Sequence, residues 1–192
     1  TLFRSLVLDE GILDYHPSYS PNGEKIAYIT NEDSDYFITK LKVMDLTTKK
    51  KHTIDDRVDT RFSWTASGDS IIYTKAVGAR WDVFAYDIKT RKNSRITIGL
   101  RGKDPAISPD GQKIAFVIQR DGNTNIGQMN INGTNRQILT NNNDATQYYG
   151  PKWSPDGKEI LFSIFRTGED RDIAVISAEA TPKPKKDGRR EL

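Results

Sequence analysis

Four times along the chain, an apolar run is framed in the same way by polar residues. The segments are PSYSPNGEKIAYIT (17–30), FSWTASGDSIIYTK (62–75), PAISPDGQKIAFVI (105–118) and PKWSPDGKEILFSI (151–164). Each opens with a short half-apolar stretch ending in Ser or Thr, turns through a Gly, and continues into a stretch apolar at nearly every position. The turn glycines Gly23, Gly68, Gly111 and Gly157 fall 45, 43 and 46 residues apart. Proline at the first turn position (Pro21, Pro109, Pro155) pre-sets φ, and Gly supplies the positive φ that closes a tight hairpin. Asp110 and Asp156 complete two of these turns, and Ala66-Ser67-Gly68 departs most from the pattern while keeping its Gly. A period in the forties built of short strands is the signature of propeller blades.

Within one period the pattern resolves into four strands. Strand A precedes the turn, as at 105–108 and 151–154. Strand B follows it at 26–28, 71–73, 114–116 and 160–162, and its continuous apolarity predicts burial on both faces between neighbouring blades. Strand C centres on Leu41, Val83, Ile126 and Ile173, and strand D on 51–54, 94–97 and 136–140. Tyr19, Trp64, Ile107 and Trp153 recur at one place in strand A, which predicts packing between blades rather than ligand stacking. The expected fold is therefore all-β, a propeller of four-stranded antiparallel blades at about 15–54, 60–98, 103–140 and 149–177. Residues 4–8 read as a stray outer strand, and 179–192 as a basic tail or the start of a further strand.

Composition narrows the function classes. The chain has 192 residues, 29% charged and 35% hydrophobic, with a formal net charge of +3. Both charge signs are scattered, whereas a nucleic-acid binder concentrates basic residues on one face, so no nucleic-acid partner is expected. The basic cluster Lys183, Lys185, Lys186, Arg189 and Arg190 reads as a solvated end. No stretch approaches the roughly 20 apolar residues of a membrane-spanning helix, and residues 1–15 lack a secretory pattern. With no cysteine, disulfides, thiol catalysis and Cys-ligated zinc are excluded.

The segments ISPDGQKIAFVIQRDGNTNIGQMNINGTNRQILT (107–140) and WSPDGKEILFSIFRTGEDRDIAVIS (153–177) resemble the repeats of TolB-type (WD40-like) propellers. Ser-Pro-Asp-Gly, a strand, Arg-Asp-Gly-Asn and an Asn-Gly turn carry the resemblance, which extends over about residues 15–177. It implies a non-catalytic scaffold, bacterial and extracytoplasmic in the periplasm or at the cell surface, that docks a protein or peptide partner. It implies no cofactor. Such repeats also occur in tricorn-like and prolyl-oligopeptidase-like peptidases, so a gating propeller separated from its catalytic domain is the alternative. TolB-type rings have six or more blades, and four are visible here. Either residues 4–8 complete the fourth blade and close a small ring, or the chain is an arc of a longer propeller, the preferred reading. An arc has unpaired edges and is expected to self-associate or to pair with another segment.

Strand parity locates the working face. The A–B and C–D turns lie at one end of a blade, the B–C and D–A loops at the other. The B–C loops (31–37, 75–81, 119–124, 165–171) and the D–A loops (9–16, 55–61, 99–104, 141–150) differ from blade to blade, and variable loops on a rigid scaffold carry binding. Trp81, Arg80, Tyr36, Tyr148, Tyr149, Arg120, Arg166 and Arg171 are the candidate partner-binding residues, because aromatics and Arg dominate protein-binding hot spots. Trp81 leads, flanked by Gly78 and Ala79; with Tyr148 and Tyr149 it would also serve a sugar-binding reading. His16, at the start of strand A where the other repeats have Arg61, Asp104 and Gly150, and His52 lack partners at ligand or triad spacing. No nucleophile elbow, P-loop or dinucleotide fingerprint is present. Glu32, Asp33 and Asp35 could hold Ca²⁺ but lack the EF-hand pattern.

Overall fold

The computed structural model describes residues 13–32, 38–120, 122–142, 144–166, 168 and 171–179. Among the described residues fifteen strands form four separate antiparallel sheets, one per repeat, and the fold is an all-β propeller of four blades. Blade 1 comprises β1 (Asp14–Tyr19), β2 (Lys25–Thr30), β3 (Lys40–Asp45) and β4 (Lys51–Asp56). Blade 2 comprises β5 (Val58–Trp64), β6 (Ser70–Val77), β7 (Arg80–Asp87) and β8 (Lys92–Arg95). Blade 3 comprises β9 (Gly102–Ile107), β10 (Lys113–Arg120), β11 (Asn123–Asn130) and β12 (Gln137–Ile138). Blade 4 has three described strands, β13 (Gln147–Trp153), β14 (Glu159–Phe165) and β15 (Arg171–Ser177). Among the described residues no helix is long and apolar enough to cross a membrane.

The repeated turn is held by one hydroxyl. Ser108 Oγ accepts the Lys113 N–H at 2.9 Å and donates to Asp110 Oδ1 at 2.5 Å, while the Gly111 N–H bonds Ser108 O. Ser154 and Asp156 repeat the arrangement around Gly157, and Ser20 and Asn22 around Gly23. The hydroxyl bond, followed by a backbone N–H, holds the Asp110 and Asp156 carboxyls below the usual carboxylate range. In blade 2 Thr65 Oγ1 takes the Ser role, accepting the Ser70 N–H at 3.0 Å. Gly68 N–H bonds Thr65 O at φ +75°, so the divergent turn has the same geometry.

Three apolar layers lie between consecutive blades. Ala27, Ile29, Leu41 and Val43 of blade 1 pack on Ile71, Tyr73 and Tyr86 of blade 2. Ile72 and Val83 meet Ile114, Phe116 and Met129, and Ala115, Val117 and Ile126 meet Ile160 and Phe162. Because β6 and β10 each serve two layers, alternate side chains face opposite neighbours, and the central runs 71–74 and 114–118 are buried throughout. Strand A stitches the same interfaces: Trp153 Nε1 donates to Ala106 O at 2.9 Å and Trp64 Nε1 to Ser18 O at 3.4 Å.

Two expectations are corrected here. β14 alternates: Ile160 and Phe162 are buried, but Leu161 is 42% exposed, with its cross-strand partner Val175 at 53% and Ile173, the partner of Ser163, at 74%. Tyr19, which holds the place of Trp64 and Trp153, is 64% exposed rather than packed. Both departures have one cause. Each layer needs a following blade for strand B and a preceding blade for the strand A aromatic, and neither of these two sites has one among the described residues. Residues 4–8, read as a stray outer strand, and all but the first residue of 179–192, read as a basic tail or the start of a further strand, lie outside the described residues.

Candidate functional site

Every strand A breaks register once. The irregularity falls between Tyr15 and Ser18 in β1, Val58 and Phe62 in β5, and Tyr149 and Lys152 in β13, and opposite Ala115–Val117 in β9. Such bulges re-aim the chain and its side chains. His16, Asp104 and Gly150 sit there with φ of 51°, 51° and 57°, each just before a proline. Together with Arg61 they face one another around the axis, lining a cavity of about 240 Å³ to which all four blades contribute. His16 Nδ1 lies 2.7 Å from Thr60 O, Asp104 Oδ2 accepts the Gly150 N–H at 2.8 Å, and Arg61 Nε stands 3.6 Å from Asp104 Oδ1.

Asp104 is an unusual carboxylate. Burial raises its pKa above the usual range, the Gly150 N–H opposes that, and the nearby Asp59 adds to it. Asp59 Oδ2 is itself buried without a hydrogen-bond partner among the described residues. Two acidic groups thus crowd the floor of a site whose walls are basic.

Above this floor, toward the B–C and D–A end, blades 2, 3 and 4 enclose a wider cleft of about 670 Å³. Arg61, Arg101, Lys103 and Arg171 line it against Asp59 and Asp104, with Tyr148, Tyr149 and Phe165 as its aromatic surface. The basic side chains are placed by stacking: the Lys103 ammonium sits 4.5 Å from the Trp81 ring centre and the Arg171 guanidinium 5.8 Å from that of Phe165, favourable cation–π placements. Tyr148 is anchored by its backbone N–H to Thr124 Oγ1 and by its ring against Phe162 at 5.1 Å. Tyr149 is 44% exposed, and Gln119, Thr124 and Gln147 add neutral polar contacts at the rim. A cationic, aromatic-lined cleft with an acidic floor can grip an extended segment.

Of the residues singled out from the sequence, Tyr148, Tyr149 and Arg171 line this cleft. Trp81 is not in a loop. It lies in β7 opposite Ala76, half-buried, and shapes the site through Lys103. The loop assignment fails because the β6–β7 hairpin turns within Gly78 and Ala79, so the strands keep register to Val77 and Arg80. Arg80 is exposed, with its guanidinium against Gly99. Arg166 stands 3.5 Å from Asp172 and does not line the cleft. Tyr36 and the Arg120 side chain lie outside the described residues. Asp59, Lys103, Asp104 and Phe165 were not among the candidates. The available signal was the residue before each strand A proline, which aligns His16, Asp104 and Gly150. His52 serves structure: its Nε2 lies 2.9 Å from the Tyr86 hydroxyl, and burial lowers its pKa. Glu32 is ion-paired with Lys42, whereas Asp33 and Asp35 lie outside the described residues.

Comparison with known proteins agrees with this architecture. The family model of the TolB beta propeller domain matches residues 3–188. The Tol-Pal system protein TolB of Francisella tularensis subsp. tularensis is 31% identical over 191 residues, covering 72% of this chain and 44% of that protein. The crystal structure of TolB from Acinetobacter baumannii superposes with a TM-score of 0.69 at 23% identity, over 86% of this chain and 41% of that one. Dipeptidyl-peptidase 5 of Porphyromonas gingivalis is 28% identical over 122 residues, covering 56% of this chain but 18% of that enzyme. The chain thus spans less than half the length of these relatives. Its repeat, its blades and this match together make it a member of the TolB β-propeller family.

Proposed function

We propose that the protein is a non-catalytic docking scaffold that holds an extended protein or peptide segment in the cleft between blades 2, 3 and 4. The observation that carries the reading is the convergence of Arg61, Arg101, Lys103 and Arg171 with Tyr148 and Tyr149 on one open cleft at the variable end of the blades. Arg and Tyr are the side chains that concentrate binding energy in protein interfaces. The kinship with TolB supports a bacterial, extracytoplasmic setting, which fractionation with a tagged chromosomal copy would test.

The test is selection of binding segments from a displayed peptide library, followed by calorimetry. Binding is expected to weaken at least about tenfold in Arg101→Ala/Arg171→Ala, since a charge-assisted hydrogen bond contributes about 1.5–3 kcal/mol, and to weaken as salt rises. Segments that bind the double variant as tightly as the parent would overturn the reading. The kinship with a dipeptidyl-peptidase supports a second reading, in which the cleft admits substrate to a catalytic domain. Labelling of the full-length gene product by a serine-directed fluorophosphonate would decide for it.

A further inference from the structure

Two arginines hold the same place in consecutive blades and differ in what answers their charge. Arg57 precedes β5 and Arg101 precedes β9, with φ of 51° and 56°, a left-handed conformation that favours glycine. Each gives its carbonyl to the end of strand B: Arg57 O accepts the Ala76 N–H at 3.0 Å and Arg101 O the Gln119 N–H at 3.1 Å. Arg57 has an acid beside it, its Nε 3.4 Å from Asp56 Oδ1. Arg101 follows Leu100, is exposed, and has no carboxylate partner among the described residues. A conformation suited to glycine thus carries a long cationic side chain that no described acid answers.

Arg101 stands in the cleft between blades 2, 3 and 4, where Arg61, Arg101, Lys103 and Arg171 face two carboxylates, Asp59 and Asp104. Asp104 is engaged at the floor by Arg61 at 3.6 Å and feels the Lys103 charge as well. Arg171, on the blade 4 wall, rests on Phe165 and, like Arg101, has no carboxylate partner among the described residues. Arg61 and Asp104 also line the small axial cavity, whereas Arg101 and Arg171 do not. The excess positive charge therefore stands on the upper walls. Arg101 and Lys103 are two residues apart on one of them, and an extended segment presents alternate side chains to one side. Carboxylates at alternate positions of such a segment meet both cations.

We infer that the segment docked in this cleft is acidic: an extended stretch of a separate polypeptide with Asp or Glu at alternate positions, pairing with Arg101 and Lys103 on one wall and Arg171 on the other. This rests on the docking reading above and names the chemistry of its partner. Charge complementarity selects it, since a neutral or basic segment leaves Arg101 and Arg171 unanswered. Carboxylate–guanidinium pairs are among the stronger hydrogen bonds, often bidentate, and between exposed charges they fade with salt. Tyr149 and Phe165 offer apolar surface to the side chains in between. The chain's own Asp9, Glu10, Asp33 and Asp35 lie outside the described residues and are the rival occupants.

The test titrates the 192-residue protein with two end-blocked synthetic peptides, GEYEYEG and its uncharged counterpart GQYQYQG, by calorimetry and amide NMR. The Glu peptide should bind at least about tenfold more tightly, shift the Tyr148 and Tyr149 amides, and lose its advantage as salt rises. Arg101→Gly and Arg171→Ala should each weaken the Glu peptide about tenfold and leave the Gln peptide unchanged. Because glycine suits the left-handed site, Arg101→Gly should unfold in urea no more easily than the parent, which separates binding from folding. Equal affinity of the two peptides at Tyr148 and Tyr149 overturns the inference while leaving the docking reading standing. Absence of shifts there from either peptide also overturns it, and the library selection then decides docking by itself. If Asp9→Asn/Glu10→Gln or Asp33→Asn/Asp35→Asn strengthens binding of the Glu peptide, the occupant is the chain itself and the separate polypeptide is overturned.

Discussion

Blade 2 and blade 4 are built from the same repeat and differ in what surrounds them. Strand B of blade 2 is buried on both sides, and its Asp82 sits in a closed cage of donors. Strand B of blade 4 is as apolar in sequence, but its Leu161 faces outward and Asp172, at the same hairpin step as Asp82, stands in the open. A repeat's side chains are thus chosen for a neighbour on each side. The same residue is a keystone or a surface group according to what packs against it among the described residues.

The largest effects should follow from breaking the keystone. Asp82→Ala leaves the Thr97, Gly99 and Leu100 donors buried without their acceptor. It should cost about 3–5 kcal/mol in urea unfolding, the range for opening a buried charged network, while Asp172→Ala should cost under about 0.5 kcal/mol, as at ordinary surface sites. Equal losses at the two positions would erase the comparison. Burial alone would raise the Asp82 pKa, but the bonds from Leu100, Arg95, Gly99 and Thr97 outweigh it and hold the carboxyl below its usual range. Its contribution is therefore present at neutral pH and lost only as pH falls through that depressed value.

Next in size is the strand A aromatic. Trp153→Ala removes a half-buried ring and its bond to Ala106 O, and should cost about 2–3 kcal/mol, somewhat below the range for fully buried rings. Tyr19→Ala, at the equivalent but exposed position, should cost under about 0.5 kcal/mol. Unfolding curves of the two variants, measured side by side, check this directly.

A smaller effect with a definite sign is expected at the axis. Because the Asp104 pKa is raised in the folded protein, its ionisation opposes folding. Asp104→Asn, which keeps an acceptor for the Gly150 N–H, should match the parent below the ordinary carboxylate pKa. It should then gain on the parent as pH rises through the elevated folded value, and level off more stable above it. A variant less stable than the parent at pH 7 would show that the Arg61 contact dominates instead. Last, Ile173→Lys should leave unfolding unchanged within about 0.5 kcal/mol and lower any concentration-dependent association seen by sedimentation.

Much of this was legible in the chain. Hairpin spacing, the turn glycines and the apolar B strands fix four repeats, because each is a local signal with a definite backbone cause. Strand ends were harder to place. The KAVGARW stretch looks like a loop because Gly, Ala and two cations break the apolar pattern, yet the pairing continues through Val77 and Arg80. The fate of Tyr19 and Leu161 was hidden for a different reason. Sequence shows that a side chain is suited to a neighbour but not whether the neighbour is there. The cleft lay deepest, since Asp59, Lys103 and Phe165 come from three blades and only folding brings them to one place.

The bulge at the start of each strand A has a consequence for how such a protein can change over generations. Its shape is set by the backbone and, in three blades, by the proline that follows, while the residue lining the axis at that step is His16, Arg61, Asp104 or Gly150. Three slots of one backbone shape thus hold an imidazole, an anion and no side chain at all, and the fourth, with no left-handed residue and no proline, holds a cation. The four are coupled, since Asp104 accepts the Gly150 N–H and stands 3.6 Å from Arg61, so a change at one is felt by its neighbours. The axis behaves as a short code whose characters are read together, so new recognition there comes by paired changes while the fold behind stays fixed.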